Sequence, residues 1–195
     1  HFENIMPPKS NYRSTYIPMT SFCDLTIMQL SNDSVHRKDF GEFGIGLTKE
    51  WGIRNGVSPV MYVHRESQQT KRLNRLIRAL KKFRKKKDGE TIDAIQQEMI
   101  DSFKYIKPYT GNWHRGKWVR RKITYYNERE WRYAPLLNQH AVLSAVIKEN
   151  KKEVRKINED LKKDIIKFEV EDVKFIVIKS KKNIPVVAKA IDAMP

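Results

Sequence analysis

Apolar side chains recur at helical spacing along residues 67–87, with polar or basic side chains between them. Positions three or four residues apart share one face of an α-helix. The apolar positions of this segment are Leu73, Leu76, Ile77, Leu80 and Phe83. Residues 91–105 repeat the pattern with Ile92, Ile95, Met99 and Phe103. The spacing therefore predicts two consecutive amphipathic helices, separated by the turn-forming pair Asp88 and Gly89.

Capping residues and alternation predict the other elements. Further helices are expected over residues 24–32, 49–54, 138–163 and 184–194, with Asp24 and Thr48 as caps of the first two. Short extended segments are expected over residues 1–22, and strands over residues 43–47, 58–64, 123–131, 166–170 and 173–178, the last two forming a hairpin. Gly44 and Gly46 would leave one face of strand 43–47 bare, so that a ligand or another backbone could approach it.

The strands do not alternate regularly with helices, which predicts an α+β fold with a small mixed sheet. A chain of 195 residues is expected to form a single domain over residues 1–195. The basic segment would then be a helical insertion at about residues 65–106.

Charge dominates the composition: 39 Lys and Arg stand against 23 Asp and Glu, a net charge of +16. This predicts a polyanion, an anionic ligand or an acidic protein as partner. The single cysteine, Cys23, excludes an intramolecular disulfide and is typical of a reducing cytosol, so a cytoplasmic location is expected. No run of about 18 apolar residues occurs, and no membrane partner is expected. The scattered histidines show no metal-ligand spacing, and no metal is expected.

The cations concentrate in residues 71–87, which hold ten Lys or Arg and no acidic residue. Such like charges repel one another unless a polyanion or acidic partner neutralises them. Basic groups interleaved with aromatics also follow in residues 113–122. The candidates for binding nucleic acid or a partner protein are Lys71, Arg72, Arg75, Arg78, Lys81, Lys82, Lys85, Trp113, Arg115 and Lys117. The alternative is that these are solvated faces.

Glu128 and Glu130 are the candidate catalytic residues. On a strand they would project from the same face, about 7 Å apart. Such a pair can orient a nucleophile and stabilise an oxocarbenium-like transition state, as in glycosidases and enzymes that cleave the nicotinamide bond of NAD. The alternative is an edge strand whose charges pair with neighbouring Lys or Arg.

Three other residues could bind an anionic nucleotide. Lys49 and Arg54 flank Trp51 in a short predicted helix, where two cations and backbone N–H groups could hold a pyrophosphate. His1, on an early strand, could donate a hydrogen bond to a ribose. For all three, a surface position without a ligand is the alternative.

Four blocks of the sequence resemble the AbiGi family of bacterial abortive-infection, or phage-resistance, proteins. They are residues 21–25 (SFCDL), 43–53 (FGIGLTKEWGI), 58–62 (SPVMY) and 128–135 (EREWRYAP). The resemblance implies a component of an antiphage system of the toxin–antitoxin type. The family is described as the antitoxin side of such a system.

The order of His1, the Ser-Pro-Val-Met-Tyr block and the late acidic segment is also similar to DarT-type ADP-ribosyltransferases. This similarity implies an ADP-ribosyltransferase-like core and NAD as co-substrate. His1 would contact NAD, Arg54 or Lys49 would take the arginine role, and Glu130 or Glu128 the glutamate role.

Two hypotheses for function follow from these patterns. The favoured one is transfer of ADP-ribose from NAD to nucleic acid, with Glu130 as the main catalytic residue. The other is a non-catalytic antitoxin that binds its cognate toxin or nucleic acid. A glutamate pair in a cleft beside Lys49 and Arg54 would support the enzyme, and the same glutamates held in salt bridges on an open surface would support the binding protein.

Overall fold

The computed structural model describes residues 2–4, 15–32, 41–84, 89–115, 118–135, 143–144 and 150–193. Helices and small separate sheets make up an α+β fold, which confirms the predicted class. The chain divides into two compact units. Unit 1 comprises His1–Asp24 and Val57–Ile165, and unit 2 comprises Leu25–Gly56 and Ile166–Pro195. The single domain with a basic helical insertion stays a prediction.

Unit 1 contains most of the strands. They are β1 (Phe2–Asn4), β2 (Thr15–Pro18), β3 (Thr20–Cys23), β5 (Ser58–Pro59), β6 (Met61–Val63), β7 (Ile106–Pro108), β8 (Thr110–Arg115), β9 (Trp118–Thr124), β10 (Glu130–Tyr133) and β11 (Leu143–Ser144). The sheets have the orders β1-β2-β11, β3-β10-β5, β6-β7 and β8-β9. Only the β6-β7 pair is parallel among the described ladders.

The two predicted amphipathic helices are confirmed as α3 (Gln68–Arg84) and α4 (Gly89–Phe103). Both belong to unit 1, and they connect β6 to its parallel partner β7. Ile77 of α3 and Phe103 of α4 are buried in one apolar cluster with Ile17 and Val63. This cluster fixes the inner faces of the two helices.

Fewer apolar side chains of the two helices are buried than the spacing predicts. Leu76 and Ile95 were expected inside, but both are exposed. Leu76 is next to Ile77 on the helix and therefore points past the apolar cluster. Ile95 shares a helix face with Met99 and Phe103 but lies about two turns before Phe103 and is not part of the cluster. The side chains of Leu80 and Phe83 lie outside the described part of the structure.

Unit 2 contains three α-helices and one two-stranded sheet among its described residues. The elements are α1 (Ile27–Asn32), β4 (Gly44–Leu47), α2 (Lys49–Arg54), β12 (Val173–Val177) and α6 (Ile184–Asp192). Thr48 caps α2 as predicted, accepting a hydrogen bond from the Trp51 N–H at 3.2 Å. Thr26, rather than the predicted Asp24, caps α1 by accepting from the Gln29 N–H at 3.2 Å.

The expected bare face of β4 is filled by its partner strand. β12 pairs antiparallel with β4, and Phe175 lies opposite Gly46. A Cβ added at Gly46 would lie 2.4 Å from the Phe175 ring, so the glycine makes room for that ring. The prediction of a face open to a ligand is therefore wrong at Gly46.

Two predicted elements differ in the late part of the chain. Residues 166–170 form no strand, and β12 pairs with β4 instead of closing a hairpin. Of the residues 138–163 for which a long helix was predicted, Lys151–Asp160 form α5 and Leu161–Asp164 a 3-10 helix, and residues 138–142 and 145–149 lie outside the described part of the chain. Leu143–Ser144 belong to β11, because they pair with Tyr16 and Thr15 of β2. No described helix is both long and apolar enough to cross a bilayer.

Candidate functional site

The segment that carries Glu128 and Glu130 is broken by a turn. β9 ends at Thr124, a 3-10 helix spans Tyr125–Glu128, and β10 begins at Glu130. Between them Arg129 adopts the left-handed conformation, with φ 44°. The Arg129 carbonyl accepts a hydrogen bond from the Asp24 N–H at 3.0 Å, which holds the turn beside the end of β3. One or two strands were predicted around residues 123–131, and two are present; the placement of Glu128 and Glu130 on one strand is wrong, because the 3-10 helix and the left-handed Arg129 interrupt the extended run.

Glu130 is buried, with only 3% of its surface exposed. Its Oε1 accepts hydrogen bonds from Arg132 Nε and from Ser21 Oγ, each at 2.7 Å. Its Oε2 accepts from Lys107 Nζ, and Arg132 Nη2 lies 3.4 Å away. Its backbone N–H donates to the Tyr62 hydroxyl at 2.9 Å. Both carboxylate oxygens thus have cationic partners, as a buried charge requires.

Lys107 joins the two glutamates. It lies on β7, and its Nζ contacts Glu130 and also donates to Glu128 Oε2 at 2.6 Å. The ammonium of Lys107 separates two carboxylates that would otherwise repel one another. The two negative charges of Glu128 and Glu130 are balanced by the two positive charges of Lys107 and Arg132. We call these four residues the ion-pair network.

Arg132 connects the ion-pair network to backbone carbonyl groups. Its guanidinium is fully buried, and Nη1 donates to the Lys104 carbonyl at 2.8 Å. Lys104 is itself buried, forms an ion pair with Asp101 and donates to the Pro135 carbonyl at 3.0 Å. The network therefore connects β10 with the end of α4 and the start of β7.

Neighbouring groups are held in their neutral forms. Although Cys23 is exposed, desolvation by the surrounding protein, followed by the negative charges of Glu128 and Glu130, raises the pKa of its thiol to about 12. Burial also raises the pKa of the Tyr62 hydroxyl to about 12. Neither group is an activated nucleophile at neutral pH, since the thiolate or phenolate population is very small.

A row of aromatic rings lies beside the network, also in unit 1. Tyr126 contacts Tyr62 edge-to-face with centroids 5.3 Å apart, and it stacks on Tyr109 at 5.5 Å with an interplanar angle of 23°. His64 lies 6.4 Å from Tyr109. We call Tyr62, Tyr126, Tyr109 and His64 the aromatic row. The sequence predictions missed it, because its members come from three separate segments and share no periodicity.

The cations predicted to bind pyrophosphate belong to unit 2. Arg54 Nη2 lies 2.7 Å from Asp172 Oδ1, and 64% of the Arg54 side chain is exposed. The hydrogen bond from the Glu169 N–H, assisted by Arg54, lowers the pKa of Asp172. Lys49 is exposed in the first turn of α2. A shared pocket of these cations with Glu128 and Glu130 stays a prediction.

The exposed cations of α3 agree with the predicted basic surface. Side chains described as exposed are those of Lys71, Arg72, Arg75, Arg78 and Lys82. The side chains of Lys81, Trp113 and Arg115 are not described, and His1, Lys85 and Lys117 lie outside the described residues. Within the described residues, no three His, Cys, Asp or Glu side chains are grouped so that they could hold a metal ion.

The sequence as a whole matches a known family. A family profile described as "Putative abortive phage resistance protein AbiGi, antitoxin" matches residues 9–179. The chain belongs to the AbiGi family. It is also 28% identical over 180 residues to "Abortive phage resistance protein AbiGi" of Lactococcus lactis subsp. cremoris, covering 85% of this chain and 72% of that protein. No solved structure matches.

Two blocks that carry the resemblance to the AbiGi family meet at the ion-pair network. Residues 128–135 supply its Glu128, Glu130 and Arg132, and residues 21–25 supply Ser21, which donates a hydrogen bond to Glu130. The AbiGi antiphage assignment is thus confirmed at the level of the family. The ADP-ribosyltransferase-like core, with NAD as co-substrate, stays a prediction.

Proposed function

We propose that this chain is the antitoxin component of an antiphage abortive-infection system and acts by binding its partner, not by transferring ADP-ribose. The observation that carries the proposal is the state of Glu130, which is buried against Lys107 and Arg132. The salt bridges expected of a binding protein are present, whereas the open surface expected with them is not, because Glu130 is buried.

The geometry gives Glu130 little capacity for glycosyl transfer. A carboxylate that stabilises an oxocarbenium ion must face the sugar and keep its charge available to it. Here both oxygens of Glu130 accept hydrogen bonds from protein donors. Removing one partner of a buried ion pair destabilises a protein, because the other charge stays buried without a counter-charge. We therefore assign Glu130 and its partners a structural role, which is to hold β10 in place.

The exposed cations of α3 supply the surface through which binding would occur. The helix has no acidic residue, and five of its cations are described as exposed. A surface of one sign attracts a partner of the opposite sign and accelerates its association. The partner would be an acidic toxin surface or a nucleic acid.

One experiment separates binding from catalysis. The purified protein is incubated with labelled NAD and a mixture of DNA, RNA and protein, beside the Glu130→Gln variant. We expect no label on any macromolecule with either protein. Transfer of label by the wild type would overturn the proposal. If it were also lost in a Glu130→Gln variant that circular dichroism shows to be folded, Glu130 would be the catalytic residue.

A second experiment tests the surface in a host that carries the complete defence locus. One variant replaces Arg72, Arg75, Arg78 and Lys82 by Gln. Its matched control replaces four exposed lysines of unit 2 by Gln: Lys167, Lys174, Lys181 and Lys182. Both remove four positive charges. We expect host growth to fail only with the α3 variant, because the toxin is no longer neutralised. Normal growth with the α3 variant would contradict the proposed surface.

A further inference from the structure

The aromatic row exposes ring surface that a folded core would normally bury. Tyr126 is 47% exposed and Tyr109 is 37% exposed, although the two rings stack on one another. His64, at the end of the row, is also exposed. Exposed, nearly parallel rings offer flat apolar faces to a ligand that is itself flat.

The row is held rigidly by its surroundings. Tyr125, next to Tyr126 in the 3-10 helix, donates a hydrogen bond to the Asn112 carbonyl at 2.8 Å. Its ring packs over Gly111, where an added Cβ would lie only 2.7 Å away, and Lys107 Nζ lies 4.9 Å from the ring centroid. Tyr126 therefore presents its ring from a fixed turn, and little conformational entropy is lost when a ligand stacks on it.

The row also adjoins the start of the basic helix. The His64 carbonyl accepts hydrogen bonds from the Ser67 N–H at 3.0 Å and from Thr70 Oγ1 at 2.9 Å. These bonds place His64 at the turn that leads into α3, whose exposed cations begin at Lys71. The turn at His64 thus connects the aromatic row to the helix that carries the exposed cations, and both belong to unit 1.

We propose that the aromatic row is a base-stacking site for single-stranded nucleic acid, with Tyr126 and Tyr109 stacking on bases and the cations of α3 contacting phosphates. Proteins that bind single strands combine these two elements, since every base has a stacking face and every nucleotide a charge. A duplex hides its bases, so it would engage only the cations. The inference rests on the proposed function and names the chemical class of the partner.

The test uses the full chain and four fluorescein-labelled probes: single-stranded oligouridine RNA, oligothymidine DNA, and an RNA and a DNA duplex of equal length. The variants are Tyr126→Leu, which keeps apolar bulk without the ring, and Tyr126→Trp, which keeps a stacking face. Phe43→Leu is the matched control, since it removes an exposed aromatic ring from unit 2. Fluorescence anisotropy at about 50 mM salt gives each affinity.

We expect Tyr126→Leu to weaken single-strand binding by about 5- to 100-fold, as the loss of one stacking contact predicts. Duplex binding should change little, and Tyr126→Trp and Phe43→Leu should bind like the wild type. The RNA and DNA arms show which single strand is preferred. Ultraviolet cross-linking should attach the probe to peptides that contain Tyr126 or Tyr109.

Two outcomes would overturn the inference. One is equal affinity of wild type and Tyr126→Leu for the single strands, with no cross-link to the row. The other is absence of single-strand binding by the wild type at low salt. Either would leave the proposed antitoxin function standing, with an acidic protein as partner. Transfer of label from NAD, in contrast, would overturn that function whatever the affinities.

Discussion

Arg132 donates a hydrogen bond of 2.7 Å to Glu130, two positions earlier on the same strand, and both side chains are buried. Residues two apart on a strand share one face, so this pair forms along β10 itself. Ser21 reaches the same carboxylate from the neighbouring strand β3. The charges of β10 are therefore part of its packing and not a solvated edge.

Replacing Arg132 by Met should destabilise the fold by about 3–5 kcal/mol, because the Glu130 charge would remain buried with one cation fewer. The Lys104 carbonyl would also lose a donor. Arg54→Met is the matched control: the Arg54 side chain is mostly exposed, the Asp172 carboxylate keeps its hydrogen bond from the Glu169 N–H, and the loss should be about 1 kcal/mol. Urea denaturation of both variants measures the difference. Equal losses of stability would contradict the role assigned to Arg132.

The two glutamates should differ in the same assay. Glu130→Gln leaves the buried Arg132 without a carboxylate partner, while Lys107 keeps Glu128, and a loss of about 3 kcal/mol or more is expected. Glu128→Gln leaves Lys107 paired with Glu130, so a loss of about 1 kcal/mol is expected. Thermal denaturation monitored by circular dichroism ranks them. A Glu130→Gln variant as stable as the wild type would show that the buried carboxylate has no structural role.

Asp172 should make stability depend on pH at the acid end. Its pKa is lowered from 3.8 in the folded state by the Glu169 N–H and by Arg54. A lowered carboxyl pKa contributes stability above pH 3.8, and that contribution is lost as the pH falls through the folded-state pKa. Asp172→Asn should therefore be less stable than the wild type near neutral pH, and the difference should shrink below pH 3.8. A difference that stays constant with pH would exclude this titration.

The glycines of β4 give a test of the unit 2 sheet. Gly46→Ala places a Cβ 2.4 Å from the Phe175 ring, and the resulting repacking should cost about 1–3 kcal/mol. Gly44→Ala is the matched control, since its Cβ would meet Val177 at 3.8 Å, an ordinary contact. Chemical denaturation compares the two variants. If Gly46→Ala is the more stable, the ring does not occupy the glycine face.

The local helices could be predicted from the sequence. α2 has a threonine cap and a terminating Asn55-Gly56, and α3 has its apolar spacing, so each carries its own signals. Strand partners could not be predicted in this way. The alternation of residues 166–170 predicted a hairpin, but β12 pairs with β4. Alternation indicates which side chains share a strand face and does not indicate which strand pairs with it.

Only part of the candidate site could be predicted, because a sequence pattern does not show which distant segments meet in the fold. The spacing of Glu128 and Glu130 singled out the carboxylates, but their partner Lys107 lies more than twenty positions away in sequence. Lys107 comes just after the helix predicted over residues 91–105, where the sequence pattern predicted no strand. Arg129 in the left-handed conformation was equally hidden, since an arginine carries no signal for that geometry.

The parallel pairing of β6 with β7 has a consequence for the order of folding. Met61 lies opposite Ile106, so the two strands meet only when the connection over residues 64–105, which contains α3 and α4, closes. Closing so long a connection has a substantial entropic cost, and contacts distant in sequence slow the search for the native state. Lys107 reaches the glutamates only through that pairing. Neutralisation of the buried charges is therefore expected among the last events on the folding pathway, after the basic helix has formed.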